Sequence, residues 1–152
     1  MRPAGTEELD RGLPDVVAIE NARRKAAAVE GDVVLGVDTV VALGGTIYGK
    51  PADGAQATQT LRSLAGETHQ VVSGLALRRD GEVRVAHAVT DVTFRPLSGS
   101  QIDWYVATQE WRERAGGYAI QGRGAALVRG ISGDYLNVVG LPAATLLDLL
   151  GF

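Results

Sequence analysis

No cysteine occurs in the 152 residues, which excludes disulfides, thiolate chemistry and iron–sulfur ligation. Histidine is nearly absent too: His69 and His87 are too few for a histidine-rich zinc site. There is no excess of basic charge. A formal net charge of -3 offers no field to displace counterions, which argues against non-specific nucleic-acid binding but not against a locally positive pocket for a small anion. No apolar run reaches eighteen residues and no signal-peptide pattern opens the chain, so the expectation is a soluble, cytoplasmic protein with no membrane partner. Neither a P-loop GxxxxGK[ST] nor a GxGxxG leading into a suitable helix is found, which weakens both nucleotide-fold readings tied to those motifs.

Glycine, by contrast, is abundant. Its 20 copies exceed an average usage of about 7% and cluster at Gly44-Gly45, Gly116-Gly117, Gly122 with Gly124, and Gly130 to Gly133. Such clusters suit turns and points of close ligand approach. The length fits one domain over residues 1–152 with room for a core.

The pattern predicts a helix from Pro14 to about Val29, with Ala18, Ala22, Ala26 and Val29 as its apolar stripe. Asn21 and Lys25, one turn apart, border that stripe. Residues 33–43 read as a buried strand that turns at Gly44-Gly45 and returns through Thr46-Ile47-Tyr48. Asp53 caps a second helix buried through Ala57, Leu61 and Leu64, and Gly66 stops it. Val71–Leu77 and Val83–Val92 form strands joined by Asp80-Gly81. Ser98 caps a third helix running to about Arg114, Tyr118–Val128 has strand character, and Pro142 starts a leucine-rich helix. Together these predict a single α/β domain with a mixed, twisted sheet flanked by helices.

Within the first strand, Asp38 interrupts the apolar run Gly36-Val37-Asp38-Thr39-Val40-Val41. Ionising a carboxylate there costs several kcal/mol unless a metal, a cation or hydrogen bonds compensate it. Gly49-Lys50-Pro51 follows, a lysine between a flexible and a rigid residue. Metal plus phosphate would explain both; taken alone, a turn-bonding Asp and a solvated Lys would too. Gln121, in Gly116-Gly117-Tyr118-Ala119-Ile120-Gln121-Gly122, can read a planar polar ligand edge or bond neighbouring backbone. Thr39 falls on the opposite strand face from Asp38 unless the strand ends there. His69 reads as a structural or surface imidazole, His87 as a structural one, and Trp104, Tyr105 and Trp111 as packing groups or a partner surface.

Several stretches agree in order and spacing with one family. They are Asn21-Ala22-Arg23-Arg24-Lys25-Ala26, Gly36 to Val41, Gly49-Lys50-Pro51, Leu64 to Val71, Glu110 to Gly122, and Gly133 to Pro142. On these the chain resembles the Maf family of nucleoside triphosphate pyrophosphatases. The resemblance implies a Maf/ITPase-like fold and hydrolysis between the α and β phosphates, giving a monophosphate and pyrophosphate. It implies that Asp38 is the catalytic carboxylate, acting directly or through a divalent ion, Mg²⁺ or Mn²⁺. Glu7 would assist it and share the metal, with Glu8 as runner-up. Lys25 and Lys50 would hold phosphates, Thr39 would contact substrate, and Gln121 would help read the base. Asp38-Thr39 resembles the branch acting on dTTP and UTP. A triphosphate needs such cationic groups and Mg²⁺ to offset charge that grows on phosphoryl oxygens.

Family members open with a strand and a Ser-x-Ser-Pro-Arg-Arg-like loop, and the resemblance here begins after them. That implies a sheet one strand short and weak activity, unless a partner chain or an upstream segment completes the site. The same gap allows a second reading, a nucleotide-binding or regulatory module with little turnover. A third is an interaction protein, a homodimer covering an exposed sheet edge.

Overall fold

The computed structural model describes residues 5–152. Five strands form one sheet in the order β2-β1-β3-β4-β5, from β1 (Val33–Leu43), β2 (Thr46–Tyr48), β3 (Thr68–Arg79), β4 (Glu82–Phe94) and β5 (Val128–Ser132). The domain is α/β with helices on both faces. Within the described residues all four strand pairings are antiparallel, so no parallel pair of the kind a mixed sheet contains occurs there. The connections account for this: β1–β2 and β3–β4 are tight hairpins turning at Gly44-Gly45 and Asp80-Gly81, where all four residues have positive φ. β2 pairs only with Val41, Ala42 and Leu43, which leaves the Val33–Val40 part of that edge of β1 without a strand partner among the described residues.

Among the described residues one helix alone, α1 (Pro14–Ala27), covers one face. It starts on Pro14, whose missing N–H costs nothing in a first turn, and the Arg78 guanidinium donates to the Ala26 carbonyl in its last turn and to the Val29 carbonyl just beyond it. Its alanine stripe lies directly on glycines: a Cβ on Gly36 would collide with the Ala22 carbonyl, and one on Gly74 with the backbone of Ala18 and Ile19. Helix and sheet backbones therefore approach far closer than ordinary side chains permit. α1 is thus seated over the β1–β3 pair, and side chains flanking its stripe reach the middle of β1.

The other face carries α2 (Gly54–Leu64), α3 (Gly99–Ala107), α4 (Tyr135–Val139) and α5 (Ala143–Leu150). Here Leu61, Leu64, Val71, Val92, Phe94, Ile102 and Tyr105 make the main core. Asp53 caps α2 by accepting from the Gln56 N–H at 2.8 Å, and Ser98 with Gln101 forms a capping box on α3. No helix among the described residues is long and apolar enough to cross a membrane.

Two expected elements differ. The third helix ends at Ala107 rather than near Arg114. Its last carbonyls accept tight i+3 backbone bonds from Thr108 and Gln109 and are shared with side chains: the Thr108 hydroxyl donates to the Tyr105 carbonyl at 2.7 Å, and the Trp111 ring N–H to the Val106 carbonyl at 3.0 Å. Gln109 and Glu113 then adopt left-handed backbone, with φ of 63° and 58°. Residues 118–128 are not a strand either. A turn at Ala115–Gly117 leads into extended backbone and then a 3₁₀ segment over Gly122–Leu127, and β5 starts only at Val128. Gly124 packs where a Cβ would overlap the Ala119 carbonyl, which folds this segment back on itself.

Candidate active site

β1 alternates, so Val34, Gly36, Asp38 and Val40 face α1. Asp38 is buried beneath the helix, opposite Gly74 in the neighbouring strand. Its charge is met from α1. The Lys25 ammonium donates to Oδ1 at 2.5 Å, and the Asn21 amide to Oδ2 at 3.0 Å. Lys25 also reaches Oε1 of Glu8 at 2.8 Å, so one ammonium joins two carboxylates. Lys50, half-exposed, stands 3.9 Å from the same Glu8 oxygen. Its loop is fixed by the Gly116 N–H donating to the Gly49 carbonyl at 3.1 Å.

These contacts set the protonation states. Burial disfavours the charged form of Lys25, but hydrogen bonds to Asp38 and Glu8 and their negative charge outweigh it, raising its pKa above the ordinary lysine value. Burial of Glu8 acts upward, yet its hydrogen bond to Lys25 and the charges of Lys25 and Lys50 leave its pKa below the usual carboxylate value.

Around this cluster opens a cleft with two lobes of about 670 and 810 Å³, and Asp38, Thr39 and Lys50 line both. The smaller lobe continues along Glu8, Asn21 and Gln56. The larger is walled by Lys25, Tyr118, Gln121, Val138 and Leu141. Gln121 is exposed at its rim, on a loop held from both sides. The Tyr105 hydroxyl accepts from the Ala119 N–H at 3.1 Å, and the Glu110 carboxylate accepts from the N–H groups of Arg123 and Gly124.

The structure therefore gathers Asp38, Lys25 and Lys50 at the neck of one cleft and sets Gln121 across it. Thr39 lines the cleft, but on the sheet face opposite Asp38, sharing a 2.8 Å hydrogen bond with Ser73. Of the two adjacent acids, Glu8 rather than Glu7 joins the cluster. Glu7 is exposed, and it is its carbonyl that accepts from Arg24 at 3.1 Å. Asn21 was expected only as a residue bordering the helix stripe; its direct bond to Asp38 depends on the packing of α1 and is not visible in spacing alone.

His69 is buried, not a surface group. Its Nε2 lies 2.9 Å from the Tyr118 hydroxyl and its ring packs edge-on against Phe94 and Tyr118, while Nδ1 has no partner among the described residues. Burial lowers its pKa to about 4. Folded His69 thus stays neutral at pH values where the unfolded chain, with an ordinary value near 6.5, takes up a proton. Stability is full above that value and falls as pH drops toward 4, by at most about 3 kcal/mol. Urea unfolding at pH 7 and pH 4.5 should show this loss in the wild type, and a His69→Gln variant should lack that part of it.

Among the described residues no group of three or more His, Cys, Asp and Glu side chains is placed to hold a metal. Glu8 and Asp38 are nevertheless hard oxygen donors converging on one cation. That pair suits Mg²⁺, which keeps several waters and is commonly bound by one or two carboxylates plus substrate phosphates.

An α/β domain with two carboxylates and two ammonium groups at the neck of an open cleft is suited to handling a phosphorylated substrate. More narrowly, the chain belongs to the Maf family, whose model, described as Maf-like protein, matches residues 2–151. A dTTP/UTP pyrophosphatase of Symbiobacterium thermophilum is 49% identical over 138 residues, covering 91% of this chain and 71% of that protein. Enzymes of the same name from Pyrococcus furiosus and Anaeromyxobacter dehalogenans are each 45% identical, covering 90% and 99% of this chain and 74% and 80% of those proteins.

Proposed function

We propose that this cleft hydrolyses nucleoside triphosphates, dTTP and UTP in particular, to the monophosphate and pyrophosphate. The observation that carries the reading is the Lys25 ammonium joining Asp38 and Glu8 where the two lobes meet, within reach of Lys50. A water oxygen bonds to the α-phosphorus, the bond from that phosphorus to the bridging oxygen breaks, and pyrophosphate leaves. Asp38 orients the water and takes its proton, with Glu8 assisting. Lys25 and Lys50 hold phosphoryl oxygens and stabilise charge as it moves to the leaving group. Gln121, across the larger lobe, offers an amide donor and acceptor to the base edge. The four charges at the neck cancel, so a triphosphate needs a further cation; Glu8 and Asp38 would hold Mg²⁺, or Mn²⁺ in its place. When bound, the ion would neutralise phosphate charge and lower the pKa of its water.

The test is pyrophosphate release from dTTP, UTP, CTP and GTP with Mg²⁺. Turnover should favour the first two, and Gln121→Ala should narrow that preference. Saturable binding of dTTP or UTP without release would instead assign a binding module. The two acids are separable in the same assay: Glu8→Gln should lower kcat about 10- to 100-fold, while Glu7→Gln stays within about twofold of wild type.

A further inference from the structure

Asn21 is almost fully buried, at 2% exposure, and its carboxamide is engaged on both sides. Oδ1 accepts from the Leu9 N–H at 2.7 Å, and Nδ2 donates to the Leu9 carbonyl at 3.0 Å and to Asp38 Oδ2 at 3.0 Å. The first two bonds grip both backbone groups of one residue, as a strand partner would. The third fixes the carboxylate in the neighbouring strand. Leu9 directly follows Glu8 and lies in irregular chain with no helix or sheet ladder of its own. Two backbone bonds to a buried amide on α1 therefore anchor the segment that delivers the Glu8 carboxylate.

We infer that Asn21 is a positioning residue, tying the Glu8 segment and Asp38 to one point on α1 so that their carboxylates converge. The inference rests on the reading of these two acids as the catalytic pair. With Asn21 on Oδ2, Asp38 offers only Oδ1 for exchange between Lys25 and the reacting groups. Only an amide meets the whole requirement: it accepts from an N–H and donates to a carbonyl and a carboxylate at once. Leucine supplies none of these bonds. Aspartate keeps the acceptor but sets a second anion against Asp38.

Two variants and two readouts test this. Asn21→Leu and Asn21→Asp should lower kcat for dTTP about 10- to 100-fold, as loss of an outer supporting hydrogen bond does, with KM changed less than about threefold. In each variant Leu9 amide exchange should accelerate about tenfold or more, while amides of β1 and β3 keep wild-type protection. A general loss of folding would instead speed all of these together. Adding Glu8→Gln to Asn21→Leu should cost less than the product of the two single losses, because part of the Asn21 effect runs through the Glu8 carboxylate. Wild-type kcat with slow Leu9 exchange in a folded variant overturns the proposal, as does a change confined to KM. If both variants fail to fold, the side-chain amide protons of Asn21 in the wild type decide: slow exchange supports the clamp and fast exchange overturns it. A wild type without turnover would overturn the hydrolase reading. The Leu9 measurement would still report on the clamp.

Discussion

Asp38→Asn should abolish turnover, lowering pyrophosphate release from dTTP by about a thousandfold or more while the protein stays folded. The substitution keeps shape and volume but removes the proton acceptor and the negative charge. It also cannot be hydrogen-bonded as the carboxylate is. The Asn21 amide donates to one oxygen and the Lys25 ammonium to the other, so a carboxamide in either orientation turns its NH₂ toward a donor. Lys25 keeps Glu8 as a partner and is not left unpaired, so the loss is chemical before it is structural. The fold should survive because removing a buried anion also removes its desolvation cost. Calorimetric melting should therefore stay within a few degrees of wild type, and dTTP should still bind through Lys50 and the larger lobe. Residual turnover above about a tenth of wild type would remove Asp38 from the catalytic role.

Much of this arrangement is readable from the sequence because it is local. The Asp38 interruption, the helix spacing that puts Asn21 and Lys25 on one border, and the turn before Lys50 are short-range features. The Ala18-Ala22-Ala26 stripe likewise predicts a close-packed helix, although the glycines that receive it, Gly36 and Gly74, lie on two different strands. What stays hidden depends on contacts between distant residues. Glu7 and Glu8 sit in irregular chain, where no periodicity says which one turns inward; the Leu9 backbone held by Asn21, far along the chain, decides it. The third helix reads on through Gln109 because nothing in composition shows that Thr108 and Trp111 side chains share its last carbonyls. Tyr118–Val128 has strand character around Gly122 and Gly124, but Tyr105 and Glu110 have already claimed backbone N–H groups that a sheet ladder would need.

The contact that makes the site is equally exposed to one added methyl group. Gly74→Ala should destabilise the fold by about 3 kcal/mol or more and lower Tm by about 10 °C. The new methyl meets the main chain of Ala18 and Ile19 rather than the end of a flexible side chain. Relief requires α1 to move off the sheet. Gly74 lies directly across from Asp38, and α1 carries Asn21 and Lys25, so the same movement draws both donors from the carboxylate. Activity at 25 °C, where the variant is still mostly folded, should fall by more than its unfolded fraction explains. Gly130→Ala is the matched control, since a Cβ there meets nothing within 4 Å and the backbone is not left-handed. It should leave Tm and turnover near wild type. If Gly74→Ala lowered Tm but left kcat of the folded fraction unchanged, the closeness of α1 would serve stability alone. The joint loss expected here assigns glycine at this position a second task, setting the distance at which a helix can deliver two donors to one buried acid.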